Sequence, residues 1–447
     1  MKKFLKITAA TLILLLLFFA GIFKYRQYSA NQTLIPSNTT ALIKINVDEI
    51  YKSVAFNMLG NWGHYLKPEG KKSAPDKLDK FDTGLKIPAS VYFYTLAGKP
   101  KTTFFSRLEI KDSIAFSNFV KHRLHLSKSK IQGIDFSRST RGNFIIFYNK
   151  TTAAIALSLQ SEDVEQALID VLNQKDFVKL DKSNFNEFKK ATSHIAFSDK
   201  TNSGNLNFDN GEINFNNTLL SQTIVPKTKA SHRNFNPEST VTMWLNANFK
   251  KMENKIFKLK NSSLNPDSVL KYFDGYMDFE WVNSTQQTDS IITYEYNDDF
   301  EKVEKVSLQK SNVPQFSIQI NANADGLKNY LYKQNIINLD SGWVNKTTFP
   351  LYKVFVNGTK DNLNFSTQKN KMTDNNTVFS EAFFYLNVNF LKLNKQINIP
   401  IITNYLKPFN RLEIKGKSLG NNTIKVDGKL ELNNKDINSL YQILKGI

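Results

Sequence analysis

A short pattern occurs twice in this chain, about two hundred residues apart, and it limits the fold more than any other feature. Residues 41–50 read ALIKINVDEI and residues 241–250 read VTMWLNANFK. In both stretches apolar residues alternate with other residues, which is typical of a strand with one buried face. An Asn follows, and apolar residues then recur at helical spacing. The pattern therefore predicts a strand that runs directly into a helix at both places.

Two further stretches follow the same rule. Residues 316–325 read FSIQINANAD and residues 382–391 read AFFYLNVNFL, so alternating apolar positions again precede an Asn and a second polar residue. A helix that follows a strand needs acceptors for its first free N–H groups, and Asp, Asn and Ser side chains provide them. The residues that we predict to cap helices in this way are Asp48, Asp112, Ser161, Asn248, Asn323 and Asn389. Capping accounts for these polar residues without a ligand.

The two strongest copies each follow a Pro-x-x-Thr tetrapeptide, which begins at Pro36 and at Pro237. The simplest interpretation is a duplicated domain, with a linker at residues 223–236, where the apolar pattern is lost. The expected parts are a signal anchor at residues 1–30, a first domain at residues 31–230 and a duplicate second domain at residues 231–447. The expected fold class is α+β: an N-terminal transmembrane helix followed by two duplicated domains of long antiparallel sheets with a few amphipathic helices.

The N-terminal segment predicts a membrane anchor. Three Lys residues precede an uncharged stretch from Ile7 to Phe23, whose 17 residues span about 26 Å as a helix, enough to cross a bilayer core. A cleaved signal peptide has a similar layout, but cleavage after Ala20 would place Phe18 where a small residue is needed. We therefore expect an uncleaved, single-pass inner-membrane anchor, with the N-terminus in the cytoplasm and the bulk of the chain in the periplasm.

Composition excludes some classes of protein. The net charge of +19 comes mostly from Lys residues spread along the chain, without the dense basic runs of nucleic-acid-binding proteins, so no nucleic-acid partner is expected. The chain has no Cys, which excludes disulfides, thiolate metal sites and a lipid-modified Cys. At 447 residues, of which 41% are hydrophobic, the chain can bury a core without covalent crosslinks.

Parts of the chain resemble a known group of proteins. The anchor, followed by IPSNTTALIKINVDEI at residues 35–50, is similar to uncharacterised membrane-anchored envelope proteins of Bacteroidota, which open with a Pro-x-x-[Ser/Thr]-x-x-hydrophobic strand. The closing DINSLYQIL at residues 436–444 resembles the ends of such proteins. The resemblance covers the anchor, the two domain starts and the tail. It implies a location and a layout, with no established activity, and the absence of Cys departs from the lipoprotein members.

Few residues are candidates for chemistry. His122 and His125 have the spacing of a metal pair on a helix, but basic neighbours favour a solvated helix face. The acids in DKLDKFD at residues 76–82 and in YNDDFE at residues 296–301 are typical of solvated segments and turns. The chain has no G-x-S-x-G, Walker-type loop, G-x-G-x-x-G or H-E-x-x-H motif. We therefore predict no catalytic, cofactor-binding or metal-binding residues, and no cofactor.

These observations favour a non-enzymatic protein of the cell envelope. It would be anchored in the inner membrane and act as a binding or scaffold module, with an envelope protein, a lipid or a glycan as the candidate partner. The alternative is an extracytoplasmic hydrolase whose site is assembled from distant residues. A deep pocket that gathers titratable groups would favour the hydrolase.

Overall fold

The computed structural model describes residues 21–65, 82–131, 133–250, 256–259, 262–296, 298, 300–369, 377–397 and 400–446. The chain has an α+β fold built on extensive antiparallel sheet, as the sequence predicts. It divides into two compact units: unit 1 comprises residues 1–210 and 436–441, and unit 2 comprises residues 211–435 and 442–447.

Most of the predicted anchor, Ile7 to Ala20, lies outside the described residues, and residues 21–31 are helical (α1). Within the described part of the chain, none of the helices combines the length and the apolar character needed to span a bilayer.

Eleven strands lie in the described part of unit 1, with helices between them. The strands are β1 (Leu34–Pro36), β2 (Thr39–Ile45), β3 (Val91–Leu96), β4 (Thr103–Glu109), β5 (Ser127–Ile131), β6 (Ile134–Arg138), β7 (Phe144–Tyr148), β8 (Thr152–Ser158), β9 (Phe177–Lys179), β10 (Ile195–Asp199) and β11 (Asn202–Asp209). The helices after α1 are α2 (Val47–Gly60), α3 (Trp62–Tyr65), α4 (Ser113–His122) and α5 (Glu165–Leu172). Nine strands form one antiparallel sheet in the order β11-β10-β2-β3-β4-β8-β7-β6-β5, and β1 pairs with β9.

Unit 2 contains the remaining strands. They are β12 (Glu212–Leu220), β13 (Ile224–Pro226), β14 (Ala230–Arg233), β15 (Val241–Phe249), β16 (Phe257–Leu259), β17 (Ser262–Leu264), β18 (Phe273–Tyr296), β19 (Lys302–Ala322), β20 (Ile337–Asn338), β21 (Trp343–Val344), β22 (Phe355–Gly358), β23 (Asn362–Ser366), β24 (Thr377–Ser380), β25 (Phe384–Asn389), β26 (Phe409–Gly420) and β27 (Thr423–Leu432). The helices are α6 (Pro266–Leu270), α7 (Ala324–Lys333), α8 (Phe390–Gln396) and α9 (Pro400–Leu406), and α10 (Ser439–Lys445) ends the chain.

The sheet of unit 2 repeats the strand order of unit 1. Its strands run β26-β25-β15-β18-β19-β23-β22-β21-β20, and β14 pairs with β24 as β1 pairs with β9. Every pairing of unit 1 therefore has a counterpart in unit 2, in the same chain order. The strands β27 and β12 extend the unit 2 sheet beyond β26.

Each unit has its own apolar core. In unit 1 the inward positions of the central strands, among them Leu42, Tyr94 and Phe105, pack with Leu168 of α5, and none of these four residues is more than 2% exposed. In unit 2 a cluster that includes Leu327 of α7 packs against strands β20 to β23. The apolar face of α5 is buried through Leu168, Val171 and Leu172, as is Val164 directly before the helix.

Three of the predicted helix caps are confirmed. Asp112 accepts hydrogen bonds from the backbone N–H groups of Ile114 and Ala115 at 2.9 and 3.0 Å, at the start of α4. Asn323 accepts one from Gly326 at the start of α7, and Asn389 accepts one from Lys392 at the start of α8, both at 3.0 Å. A strand that ends on Asp or Asn does run directly into a helix at these points.

The other three predicted caps are wrong. Asp48 lies inside the first turn of α2, and its carboxylate binds the guanidinium of Arg26. Ser161 lies in the loop before α5, whose N-cap position is held by Val164. Asn248 lies inside β15, which continues to Phe249, so it does not cap a helix that begins at Phe249. Residues 251–255, over which the predicted helix would run, lie outside the described part, and Phe257 begins β16.

The segment that the sequence predicts to be a linker, residues 223–236, contains the strands β13 and β14. The units divide at residues 210 and 211, about twenty residues earlier than the predicted boundary at 230. The apolar pattern is weak here because β14 carries Ser, His and Arg, and one of these side chains, Arg233, is buried among polar partners.

Candidate functional site

The two His residues with metal-like spacing do not form a metal pair. His122 is the last residue of α4, and His125 lies beyond it with a backbone φ of +49°, so the two are not on one helical face. Both side chains are exposed. Among the described residues, no group of three or more His, Asp or Glu side chains has the arrangement of a metal site.

The predicted acidic segments are only partly described. Asp76, Asp79 and Asp299 lie outside the described residues. Asp82 accepts a hydrogen bond from the backbone N–H of Gly84 at 2.9 Å, which is a local turn contact. Asp298 is an exposed residue between β18 and β19.

A cavity in unit 1 is lined by α1 and by strands of the sheet; we call it the unit 1 pocket. Its volume is about 530 Å³, within the usual size of small-molecule sites. Helix α1 and the start of β1 form one wall, the loop before β3 a second, and β3 with β4 the floor. The lining residues used below are Arg26, Ala30, Lys86, Tyr92, Tyr94, Arg107 and Glu109.

One wall of the pocket is fixed by an ion pair. Arg26 of α1 binds Asp48 of α2 through two hydrogen bonds, Nε to Oδ2 and Nη2 to Oδ1, each 2.9 Å long. The Arg26 Nη2 group also donates to the carbonyl oxygen of Ile87 at 3.2 Å. The hydrogen bond that Arg26 donates to the Asp48 carboxylate raises the pKa of Arg26. Because a bidentate Arg–carboxylate pair has a defined geometry, it fixes the position of α1 along the pocket.

The floor carries polar atoms that lack partners. The Tyr94 side chain is 2% exposed, and its hydroxyl makes no hydrogen bond to any described residue. Arg107 donates through Nη2 to Thr152 Oγ1 at 3.3 Å, while its buried Nε has no acceptor among the described residues. Burial lowers the pKa of Arg107 and raises the pKa of Tyr94. Buried polar groups are almost always satisfied in native proteins, so such exceptions mark places where a ligand or water completes the bonding.

The neighbouring charges of the pocket are already paired. Glu109 forms an ion pair with Lys86 at 2.7 Å, and both side chains are more than half exposed. The Tyr92 hydroxyl reaches the carbonyl oxygen of Ala30 at 3.5 Å, and burial raises the pKa of Tyr92. The guanidinium of Arg107 and the hydroxyl of Tyr94 are therefore the groups best placed to bind a ligand in this pocket.

The sequence contains a signal for this floor that the pattern search does not use. In TFFSRLE, residues 103–109, the inward positions of the strand are Thr103, Phe105 and Arg107. A cation at an inward strand position is unusual, because burying an unpaired charge is costly. The inward Tyr92 and Tyr94 of β3 look like ordinary core residues in the sequence, and only the structure shows that the Tyr94 hydroxyl is unpaired.

Unit 2 contains a buried charge cluster with a polar pocket beside it. Arg233 donates from Nε to both carboxylate oxygens of Asp278 at 3.1 and 3.0 Å, and from Nη1 to Glu280 at 2.9 Å. Burial raises the pKa of Asp278. Hydrogen bonds from Ser239 and Arg233 outweigh the desolvation of Glu280 and lower its pKa. The adjacent pocket of about 440 Å³ is lined by Arg233 and by Lys, Asn and Thr side chains.

Comparisons with known proteins identify no family. No family model and no curated protein matches the chain. Crystal structures of TP0453 resemble part of it: crystal form I covers 46% of this chain and 90% of that chain, with 12% identity and a TM-score of 0.28. Crystal form III covers 42% and 77%, with 12% identity and a TM-score of 0.28. Crystal form IV covers 42% and 81%, with 13% identity and a TM-score of 0.26.

Proposed function

We propose that this chain is a non-enzymatic binding module of the cell envelope, of the kind found among membrane-anchored proteins of Bacteroidota. Its N-terminal segment anchors it in the inner membrane, and residues 31–447 lie in the periplasm. The unit 1 pocket is its ligand site. The observation that carries this proposal is the pair of unpartnered buried atoms on the pocket floor, Tyr94 Oη and Arg107 Nε.

The duplicated architecture supports a binding role. Two units with the same strand order are simplest to explain by duplication of one α+β domain. Duplication allows one copy to keep a ligand site while the other becomes structural. In unit 1 the unpartnered Arg107 Nε belongs to a charged side chain, whereas in unit 2 the charges of the Arg233 cluster are paired and the unpartnered Gln319 Oε1 is neutral.

Of the candidate ligands, a glycan or another polar small molecule fits the pocket better than an acyl chain. The floor presents a phenol hydroxyl and a guanidinium, and the inward-facing aliphatic residues of unit 1 pack into a filled core instead. Small-molecule sites usually combine apolar and aromatic walls with a few placed polar groups, as this pocket does.

Native mass spectrometry tests the proposed function. The full chain is extracted gently from its own membrane, and its mass is compared before and after denaturation. We expect a bound mass that is lost on denaturation, and lower occupancy in Tyr94→Phe and Arg107→Gln. Arg141→Gln, which removes an exposed Arg of the same unit, is the matched control and keeps full occupancy.

Two results would contradict the proposal. If the protein extracted from its native membrane has the mass of the polypeptide alone, the pocket is not a ligand site. If a bound ligand is found and the protein cleaves it during incubation, the hydrolase is favoured. Location is tested separately: a reporter that works only in the periplasm, fused after Ile447, should be active, and an inactive fusion would contradict the proposed topology.

A further inference from the structure

The repeated strand pairing allows the two units to be compared residue by residue. Asn46 directly follows β2 and Asn246 lies within β15, and each donates its backbone N–H to the residue before the neighbouring strand: Asn46 to His194 O at 2.8 Å, and Asn246 to Phe383 O at 2.6 Å. These two positions are therefore equivalent in the fold. The same interval of two hundred residues then applies from Ala41 to Ile45 of β2 and from Val241 to Leu245 of β15.

The pocket floor of unit 1 has a counterpart in unit 2. Tyr94 pairs with Leu42 on β2, and Glu280 pairs with Thr242 on β15, so Tyr94 and Glu280 occupy equivalent positions. By the same register Tyr92 corresponds to Asp278. On the next strand, Arg107 corresponds to Gln319, because Tyr94 pairs with Phe105 and Glu280 pairs with Ser317. Tyr92, Tyr94 and Arg107 of the unit 1 floor thus correspond to Asp278, Glu280 and Gln319.

In unit 2 the residues equivalent to the pocket floor are bound by an internal side chain, Arg233. The guanidinium of Arg233 comes from β14, the strand that corresponds to β1. It binds Asp278 and Glu280, and its Nη2 donates to Ser317 at 3.1 Å. Arg233, Asp278 and Glu280 are 5%, 0% and 2% exposed, so the ion pair is closed off from solvent.

Unit 1 has the opposite arrangement of charge. The guanidinium lies on the sheet itself, at Arg107, and the corresponding segment β1 is Leu34-Ile35-Pro36, which carries no charge. In the described structure no carboxylate is hydrogen-bonded to Arg107, and Glu109, which acts on it electrostatically, forms an ion pair with Lys86. A half-buried guanidinium without an internal carboxylate is best satisfied by an anionic oxygen group from outside.

We propose that the unit 1 pocket binds an anionic group, a carboxylate or a phosphate of a small ligand, through Arg107 and Tyr94. The negative charge of the ligand neutralises Arg107, as the carboxylates of Asp278 and Glu280 neutralise Arg233 in unit 2. This inference rests on the proposed function, since it gives the ligand class of the same pocket. The donors that we assign to the anion are the Tyr94 hydroxyl and the Arg107 guanidinium, because both side chains line the pocket.

Binding of matched sugars to the full chain in detergent tests the ligand class. The probes are glucuronate, glucose 1-phosphate and neutral glucose, measured by calorimetric titration at low salt. We expect at least one anionic probe to bind roughly tenfold or more tighter than glucose, since hydrogen bonds to charged groups are stronger than those between neutral groups. The glucuronate and phosphate arms distinguish the two possible sources of the anion.

Variants locate the binding. Arg107→Gln should weaken the affinity for the anionic probes roughly tenfold or more, and Tyr94→Phe should weaken it several-fold. Arg107→Lys should weaken it less than Arg107→Gln, because Lys keeps the positive charge but lacks the forked N–H donors of the guanidinium. The control Arg141→Gln removes the same charge from an exposed turn and should change the affinity less than twofold. The thermal midpoint of each variant shows that it is folded, and Tyr94→Phe keeps the test available should Arg107→Gln be unstable.

The outcomes separate this inference from the proposed function. Equal affinity for glucose and the anions, no binding of either anion, or an Arg107→Gln variant that binds like the unmodified protein would overturn the anionic ligand class. The mass of any ligand bound to the protein from the native membrane then decides whether the pocket is a ligand site at all. A neutral bound ligand leaves the pocket as a ligand site, whereas a bare chain overturns the proposed function as well.

Discussion

Lys44 is a buried cation on the central strand of unit 1, and its titration gives a prediction for stability. The side chain is 4% exposed, and its Nζ donates to the carbonyl oxygens of Phe188 and Ala191 at 2.8 and 3.1 Å. Burial lowers the pKa of Lys44 from 10.5 to about 8. The folded protein therefore loses this proton at a lower pH than the unfolded chain does.

The sign of the pH effect follows from proton binding. Below pH 8 both states carry the proton, and between pH 8 and 10.5 the unfolded chain binds more protons, so this residue makes folding more favourable as the pH rises. From pH 7.5 to 9.5 we expect the unmodified protein to gain about 2 kcal/mol in free energy of unfolding relative to Lys44→Met. Urea unfolding at both pH values measures this difference. The exposed Lys190→Met should follow the unmodified protein, and a pH-independent gap between Lys44→Met and the unmodified protein would show that the folded pKa is not lowered.

At the scale of elements, the helix caps provide a comparison between correct and incorrect sequence predictions. Asn323→Ala and Asn389→Ala should each lower the free energy of unfolding by about 1 kcal/mol, because each removes the acceptor of a backbone N–H group at a helix start. Ser161→Ala, at a predicted cap that the structure does not use, should change it by less than about 0.5 kcal/mol. Urea unfolding of the three variants measures these effects. A large loss in Ser161→Ala would contradict the assignment of the α5 start.

These results explain which caps could be predicted from the sequence. Asp112, Asn323 and Asn389 act within three residues of their own position, so local pattern is sufficient. Asp48 has the same local pattern, but its carboxylate is bound by Arg26, which lies 22 residues earlier. The Arg107 and Tyr94 pair could not be predicted either, because it depends on the pairing of β3 with β4 and on the absence of a partner. Local sequence contains neither fact.

The hairpin of β18 and β19 extends well beyond the rest of its sheet. Neighbouring strands pair with β18 only at Tyr276–Trp281 and with β19 only at Ser317–Asn321, while the two strands stay paired with each other out to Tyr296 and Lys302. An isolated two-stranded hairpin is marginally stable in water. The outer part of this hairpin should therefore open more easily than either core.

Limited proteolysis checks this difference. Among the described residues, we expect trypsin to cleave first at Lys302, Lys305 or Lys310, all of which are exposed on the outer hairpin, and to leave the described core strands of both units resistant. The first cleavage sites are identified from fragment masses. A matched test replaces these three Lys residues with Gln, which should slow the first cleavage without changing the thermal midpoint. First cleavage inside unit 1, for example at Lys128, would contradict the prediction.

At the scale of the whole molecule, the repeat in the sequence corresponds to a real repeat of strand order, but the chain does not divide where the pattern weakens. Unit 1 includes residues 436–441, more than two hundred residues after its first segment ends. The sequence alone does not show that residues 436–441 belong to unit 1, because their pattern is that of any short amphipathic segment. What determines its place is a set of specific hydrogen bonds within unit 1.

Those hydrogen bonds center on Asn438, and both it and Ile437 are 0% exposed. The Asn438 side-chain amide donates to Ser53 Oγ at 3.0 Å and to Phe208 O at 2.9 Å. In return, the side-chain amide of Asn57 donates to Asp436 O at 2.7 Å. A fragment that ends before residue 436 leaves these groups of α2 and β11 without their partners, and such losses cost about 1–3 kcal/mol for each buried group.

Two fragments test the division of the chain. Residues 31–210 joined by a Gly/Ser linker to residues 436–446 should unfold at a higher urea concentration than residues 31–230, the first domain that the sequence predicts. We expect a difference of about 2–4 kcal/mol in free energy of unfolding, from the buried hydrogen bonds and the burial of Ile437. Asn438→Ala in the joined fragment should remove about half of that gain. Equal stability of the two fragments would show that unit 1 is complete without its C-terminal segment, because hydrogen bonds that are needed for folding cannot be deleted without a loss of stability.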